Sequence, residues 1–472
     1  MNILLILLSA YFVSFTDKPL DVTPSLSPRA IEQRAKWNIP TDEMDYPVSS
    51  AYLDSLRHMG VYIYHTSRWF NGATCEMSDS LAAEVEQKGF VRAIEMTRDT
   101  QPITAKPKRI SKWLTEQTEI TAKAGNTDAQ LALYNLPPLH QAGFEGQGIL
   151  MAVCDGGFQN ADTLSCFRRS LELGHFDFTD DSDGFYGETG SHGTKCLSTI
   201  SAIGTDYYGA ATKAQYYLMR SEEEATESPK EMDNLVAAFE TADSLGTNIF
   251  SVSLGYTEFD NDEWTLPKSA LDGRSTRVSL AATIAARKGM LVCVAAGNEG
   301  DNNWRSIGTP SDADSVLAVG AVDGNGVIAS FSSYGPSADG RIKPDVCAVG
   351  KNAWLFSPFG FATYGSGTSF ATPLLAGLAA CLWSALPAEN AMQIRERIIR
   401  SADKYDYPDP YRYGYGVPDA WRAYTMSPQG TETNNMQQLK TAVKILRNGQ
   451  ILILRNGKAY NVSGLEITGM ED

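Results

Sequence analysis

The sequence predicts an α/β protein, a parallel sheet covered by helices on both faces, with a small α+β unit before it and a short β tail after it. Three observations lead there. From about Asn135, apolar runs at Ile149–Cys154, Tyr216–Met219, Ile249–Leu254, Met290–Ala295 and Val316–Val319 alternate with helical patterns such as Asn234–Ser244 and Val278–Lys288. Strands written as continuous apolar runs between amphipathic helices belong to parallel sheets buried on both faces. Before Asn135 the elements are shorter and mixed, and after Tyr424 two Asn-Gly pairs separate alternating runs.

Taken in order, the apolar run Ile3–Phe15 is too short to span a membrane and suits a signal-peptide core, so residues 1–16 are expected to be a signal peptide ending near Ser14-Phe15-Thr16. No later stretch approaches the roughly 18 uninterrupted apolar residues of a spanning helix. Residues 17–105 read as the α+β unit. Ser27-Pro28 starts a helix running to about Lys36, since serine caps and proline fits the first turn. A helix near Ala51–His58, strands at Val61–Thr66 and Gly72–Met77, a Ser78-capped helix and a strand near Val91–Met96 follow. Residues 106–128, with several Lys and Arg between Lys106 and Lys123, form an expected linker open to proteolytic nicking. Residues 129–425 hold the sheet, and 426–472 the tail, where Asn448-Gly449 and Asn456-Gly457 predict type I′ turns in a three-stranded meander.

A formal net charge of −16 over 472 residues excludes an obvious nucleic-acid or anionic-membrane partner, because phosphate binding needs a basic face. Seven scattered cysteines without a Cys-x-x-Cys pair argue against a zinc site and a disulfide framework. Cys154, Cys293 and Cys381 sit in apolar surroundings and read as buried thiols, and a Cys166–Cys196 bridge has no other support. Asp180-Asp181-Ser182-Asp183-Gly184 reads as a solvated acidic loop, with a calcium site as the alternative.

Four segments carry chemistry. The first strand ends in Asp155-Gly156-Gly157, delivering a carboxylate to the sheet edge where it can orient an imidazole. Gly190-Ser191-His192-Gly193-Thr194 opens a helical pattern with a histidine between small residues. Val294-Ala295-Ala296-Gly297-Asn298-Glu299-Gly300 ends another strand and presents an amide in a glycine-rich turn. Gly365-Ser366-Gly367-Thr368-Ser369-Phe370-Ala371-Thr372-Pro373 leads into an apolar helix with Ser369 at its N-terminus, where unpaired N–H groups and the helix dipole favour developing negative charge. Each alone is an ordinary turn aspartate, surface histidine, turn asparagine or capping serine.

Together they resemble the subtilisin-like serine peptidases, whose Asp, His, Asn and Ser motifs occur in this order. Ser251-Val252-Ser253-Leu254-Gly255, Phe331-Ser332-Ser333-Tyr334-Gly335-Pro336 and Lys343-Pro344-Asp345 extend the resemblance, which covers most of Asp128–Tyr424. It implies Asp155, His192 and Ser369 as a triad and Asn298 as oxyanion donor in a secreted endopeptidase needing no metal or organic cofactor. Protein or peptide substrates follow from it. It further implies that Ser253-Leu254-Gly255 and Ala295-Ala296-Gly297 wall a pocket with Gly308 near its base, suited to a bulky apolar residue before the scissile bond. The N-terminal unit resembles the family's propeptides, making it a prodomain and a partner of its own peptidase domain. The tail segment Lys458–Gly464 looks like the end of the sorting domains of type IX bacterial secretion. One departure is Gly156, where the family usually carries Ser or Thr.

Two rivals remain to be weighed. An α/β-hydrolase esterase needs Gly-x-Ser-x-Gly with the acid and histidine after the serine, yet no histidine follows Ser369. A binding protein that kept the scaffold and lost turnover is the non-enzymatic alternative.

Overall fold

The computed structural model describes residues 8–99, 127–168, 171–179, 184–188, 190–223 and 226–427, and backbone strands at 118–119 and within 443–467. The N-terminal unit runs β1 (Ser9–Phe15), α1 (Pro28–Trp37), α2 (Ser50–His58), β2 (Tyr62–Ser67), β3 (Gly72–Met77), α3 (Asp79–Glu86) and β4 (Val91–Arg98). Its antiparallel sheet has the order β2-β3-β1-β4. Ser27 and Ser78 cap α1 and α3 as expected, accepting from Ala30 N–H and Leu81 N–H.

The expectation that a signal peptide reaches to residue 16 is corrected for Ser9–Phe15. Strand β1 lies between β3 and β4, with Tyr11, Val13 and Phe15 buried against Leu53, Leu56, Met77 and Val85. A mainly apolar stretch of seven residues suits an inner strand as well as part of a signal core, and only the pairing partners distinguish the two.

Within the expected linker, the short strand β5 (Thr118–Glu119) pairs with a strand of the following domain. That domain begins with the short helices α4 (Asp128–Ala132) and α5 (Pro137–Gln141). Then come β6 (Leu150–Asp155), β7 (Glu172–Asp177), α6 (Ser191–Ser201), the hairpin β8 (Ile203–Gly204) and β9 (Tyr207–Tyr208), β10 (Gln215–Arg220), α7 (Pro229–Leu245), β11 (Ile249–Val252), α8 (Arg277–Arg287) and β12 (Leu291–Ala295). The chain continues through β13 (Leu317–Val322), β14 (Val346–Val349), β15 (Ala353–Phe356), β16 (Ala362–Gly365), α9 (Thr368–Ala385), α10 (Ala391–Ser401) and α11 (Ala420–Thr425). Strand β5 runs antiparallel to β16, Thr118 opposite Gly365.

Seven strands form one parallel sheet in the order β14-β13-β12-β11-β6-β10-β7. Alternate side chains feed two separate cores, as a sheet covered on both faces requires. On β6, Met151 and Val153 pack with α6 and α9 residues such as Ile200 and Leu375, whereas Ala152 and Cys154 pack with Phe239 of α7 and Ala281 of α8. Helix α9 is apolar enough by composition to cross a membrane, but it is the buried centre of this core. From β6 the chain moves to β7 and β10 with α6 on one face, and from β11 to β12 with α8 on the other, so the crevice at the carboxyl ends of β6 and β11 is the switch point where ligands bind in such sheets.

The tail is a unit of its own, in which β17 (Val443–Arg447), β18 (Gln450–Arg455), β19 (Lys458–Tyr460) and β20 (Glu466–Ile467) pair antiparallel in sequence order. The expected meander is present with a fourth short strand added.

Candidate active site

Asp155 is the last residue of β6 and is fully buried. Its Oδ1 lies 2.6 Å from His192 Nδ1 and accepts the Gly156 N–H at 2.8 Å. An ionised carboxylate only accepts, so Nδ1 carries the proton and the neutral ring keeps its lone pair on Nε2. Asp155 Oδ2 is buried and has no hydrogen-bond partner. The next residue, Gly156, has no side chain that could donate to it.

His192 sits in the first turn of α6, brought against β6 by glycines. The Gly190 cap adopts φ 87°, and a Cβ there would lie 2.5 Å from Gly157 Cα. At Gly193 a Cβ would lie 2.2 Å from Gly157 O and 2.9 Å from Asp155 Cβ. Any side chain at Gly193 would therefore push the imidazole off its carboxylate. Cys196, one turn on, places Sγ 3.8 and 3.9 Å from the ring nitrogens of His192 and donates to Ser369 O at 3.3 Å. The His192 and Phe370 rings are tilted with centroids 5.6 Å apart. Histidine and serine motifs 177 positions apart thus share one set of neighbours.

Ser369 is the second residue of α9, exposed by only 3%. It is tied reciprocally to Ser253, the residue after β11: Ser253 Oγ donates to Ser369 O at 2.8 Å, and Ser369 Oγ donates to Ser253 O at 3.2 Å. Asn298 follows β12, and its Oδ1 accepts from Thr368 N at 2.8 Å and Thr368 Oγ1 at 2.9 Å. With the oxygen committed to two donors, the amide's NH₂ is turned to the other side. Gly297 takes φ 110°, and a Cβ there would meet Ser333 Oγ at 2.7 Å. That hydroxyl accepts the Glu299 N–H at 3.0 Å, so Ser333 and Thr368 hold the asparagine turn from both sides.

The expected pocket residues separate into two groups. Gly255 is exposed and a Cβ there would meet only Thr309 O at 3.7 Å, so space opens on that side. Leu254, Ala295 and Ala296 are buried, and the Ser253 hydroxyl is spent on Ser369. At Gly308, expected near the pocket base, the approach is tighter: a Cβ there would lie 3.2 Å from both Tyr256 O and Thr257 Cγ2. Its missing side chain lets two loops approach, where Tyr256 and Thr309 pair through their backbones.

Nothing local in the sequence signals the roles of Thr368 and Ser333, which hold the Asn298 turn from distant parts of the chain, and Cys196, considered in the sequence only as a partner of Cys166, stands beside His192 and Ser369. All seven cysteines are free and buried, Cys166 and Cys196 included. Burial pushes the thiols of Cys75, Cys166 and Cys293 up to about 12, as fits small inert hydrophobes. The acidic loop Asp180–Asp183, weighed as a calcium site, lies outside the described residues.

A parallel α/β sheet that gathers a carboxylate-held imidazole, a serine at a helix N-terminus and an oriented amide at one crevice defines an enzyme of the serine-hydrolase class. The subtilase family model matches residues 146–416, more than half of the 472-residue chain, and the Bacteroidota propeptide domain of S8 peptidases matches residues 10–115. Subtilisin DY of Bacillus licheniformis is 29% identical over 301 residues, covering 61% of this chain and 97% of the relative. Subtilisin NAT of Bacillus subtilis subsp. natto is 28% identical over 341 residues, covering 70% and 80%. A thermostable alkaline protease of Halalkalibacterium halodurans is 30% identical over 295 residues, covering 62% and 72%. The chain belongs to the subtilase family and is a subtilisin-like serine endopeptidase carrying its propeptide domain. The propeptide match begins within β1, in keeping with the corrected reading of that segment.

Proposed function

We propose that this peptidase cleaves peptide bonds with Ser369 as nucleophile, His192 as general base and acid, Asp155 as the orienting carboxylate and Asn298 as oxyanion donor. The observation that carries the reading is the buried 2.6 Å contact of Asp155 Oδ1 with His192 Nδ1, beside a serine at the N-terminus of α9. His192 Nε2 takes the Ser369 proton as Oγ attacks the carbonyl carbon, and Asp155 stabilises the imidazolium. The tetrahedral oxyanion is met by the Asn298 amide and the Ser369 N–H at the positive end of the helix dipole. His192 then protonates the leaving amine, and water, deprotonated by the same ring, releases the acyl group. Gly255 supports a preference for a bulky apolar residue before the scissile bond.

Export is part of the proposal. Its support is the zymogen organisation, a propeptide unit before the peptidase, together with a separate C-terminal β unit. A scaffold that binds without turnover is the second reading, and the orphaned Asp155 Oδ2 is the feature in its favour. A fluorophosphonate probe decides between them. Labelling that vanishes in Ser369→Ala is expected, and a parent protein that never labels would establish the binding-only reading.

A further inference from the structure

The segment between β1 and α2 makes contacts that inhibition of a cleft does not require. Residues 17–46 leave the prodomain sheet and run along α7 and α8 of the peptidase domain. At the far end of α7, Ser27 N–H donates to Ser244 O at 2.8 Å and Arg29 Nε to Gly246 O at 3.1 Å, pairing carbonyls that a helix end leaves unmade. Gly246, at φ 74°, permits the approach, because a Cβ there would lie 2.7 Å from Ala30 N. Arg29 Nη2 also donates to Asn248 Oδ1 at 2.8 Å, and that oxygen accepts the N–H of Leu150, the first residue of β6. This attachment is therefore at the amino ends of the strands. Asp155 ends the same β6, five residues further on, or about 16 Å along the strand.

Alongside it runs an alternating series of charges. Asp42 and Asp45 of the segment hold Lys288 at 2.6 and 3.1 Å, and Asp45 also meets Arg34 at 2.6 Å. Arg34 pairs with Asp243 at 2.7 Å, which pairs with Arg68 at 2.6 Å. Arg68 in turn lies 3.7 Å from Glu240, whose carboxylate accepts Arg68 N–H at 2.8 Å and Ser67 Oγ at 2.5 Å. Every link but Arg34–Asp45 crosses between prodomain and peptidase. All of the side chains except Asp42 are buried, so the carboxylates of Glu240 and Asp243 are neutralised by prodomain groups inside a buried interface.

We propose that residues 17–46 form an ionic anchor, docked on the α7–α8 face, that keeps the prodomain seated after its covalent link is cut, independently of what occupies the cleft. The proposal rests on the reading of residues 10–115 as a propeptide that is cut from the peptidase. Arg34 is its centre, since it joins Asp45 of the segment to Asp243 of α7. Cutting within the linker removes the tether and touches none of these pairs.

The test uses the full chain carrying Ser369→Ala, with the recognition sequence of an added protease inserted between residues 106 and 117. The cut is then external, and the result does not depend on whether Ser369 is a nucleophile. After cutting, the prodomain is expected to co-elute with the peptidase in gel filtration. Removing one partner of a buried, hydrogen-bonded interfacial pair acts on the off-rate, so Arg34→Met should speed release on the order of 10²-fold. Asp243→Asn gives the same measurement from the peptidase side should Arg34→Met fail to fold. Asp42→Asn, whose side chain is 47% exposed, should change release less than about tenfold. Release of the Arg34→Met or Asp243→Asn prodomain within threefold of the parent rate, or immediate loss of the cut parental prodomain, would overturn the anchor.

Discussion

Thr368 donates both its backbone N–H and its hydroxyl to Asn298 Oδ1, so the residue before the serine fixes the amide expected to bind the oxyanion. Replacing Asn298 by Ala should lower kcat about 10²–10³-fold, the loss seen when the corresponding donor is removed from subtilisin, with KM little changed. Thr368→Val keeps the N–H and loses the hydroxyl, and should lower kcat by roughly tenfold. An effect confined to KM in steady-state kinetics would make Asn298 a ground-state contact.

Asp155 Oδ2 offers a second test. Gly156→Ser supplies a hydroxyl beside a buried unpaired oxygen and removes a flexible residue, two changes worth about 1 kcal/mol each. In the Ser369→Ala background, where autolysis is silenced, calorimetry should record a higher melting temperature for Gly156→Ser. A lower one would mean that Oδ2 is satisfied in solution or that the turn rejects a side chain.

Activity should rise with pH as the imidazole of His192 loses its proton, because only the neutral ring accepts from serine. Stability should fall in acid for a separate reason. Burial holds the His140 pKa below its ordinary value, with Nε2 2.8 Å from Ala210 O. Burial opposes ionisation of Asp45, yet Arg34, the Asp42 N–H and Lys288 outweigh it and hold its pKa below normal. In both cases the unfolded chain binds the proton first. The histidine's contribution is lost as pH drops below about 6.5 and the aspartate's below about 4. Melting curves of Ser369→Ala and of Ser369→Ala with His140→Gln, recorded from pH 7.5 to 5, should converge toward acid. Parallel curves would remove His140 from the account.

Peptide-library profiling should show cleavage after Phe, Tyr, Leu or Met, with Phe over Ala by on the order of 10²-fold in kcat/KM. Gly255→Val fills the open side and should shift the preference toward small residues. Gly308→Val, which would press on Tyr256 O and Thr257, should instead lower the yield of folded enzyme. Dominant cleavage after Arg, Lys or Asp would refute the pocket.

Because β1 is an inner strand, mass spectrometry of full-length Ser369→Ala should find Ser9–Phe15 retained in the protein. Deleting residues 9–15 should abolish recovery of folded enzyme, whereas a removable leader would be dispensable for folding.

The sequence by itself determined the α/β class, the strands and caps from Ser27 to Asp155, and the four motifs that meet at the site. Those are local signals: continuous apolar runs, a serine before a proline, a carboxylate at a strand end. Tertiary structure decided the rest. The same stretch, Ser9 to Phe15, could be part of a signal core or a strand until Cys75 and Met96 stood on either side of Tyr11. Gly255 and Gly308 look alike in sequence, yet one faces open space and the other a carbonyl. Arg34 could not be told from any charged helix residue until Asp243, 209 positions away, was folded against it. Period and propensity act over a few residues, whereas burial and pairing depend on which distant segments share a face, and only the folded chain settles that.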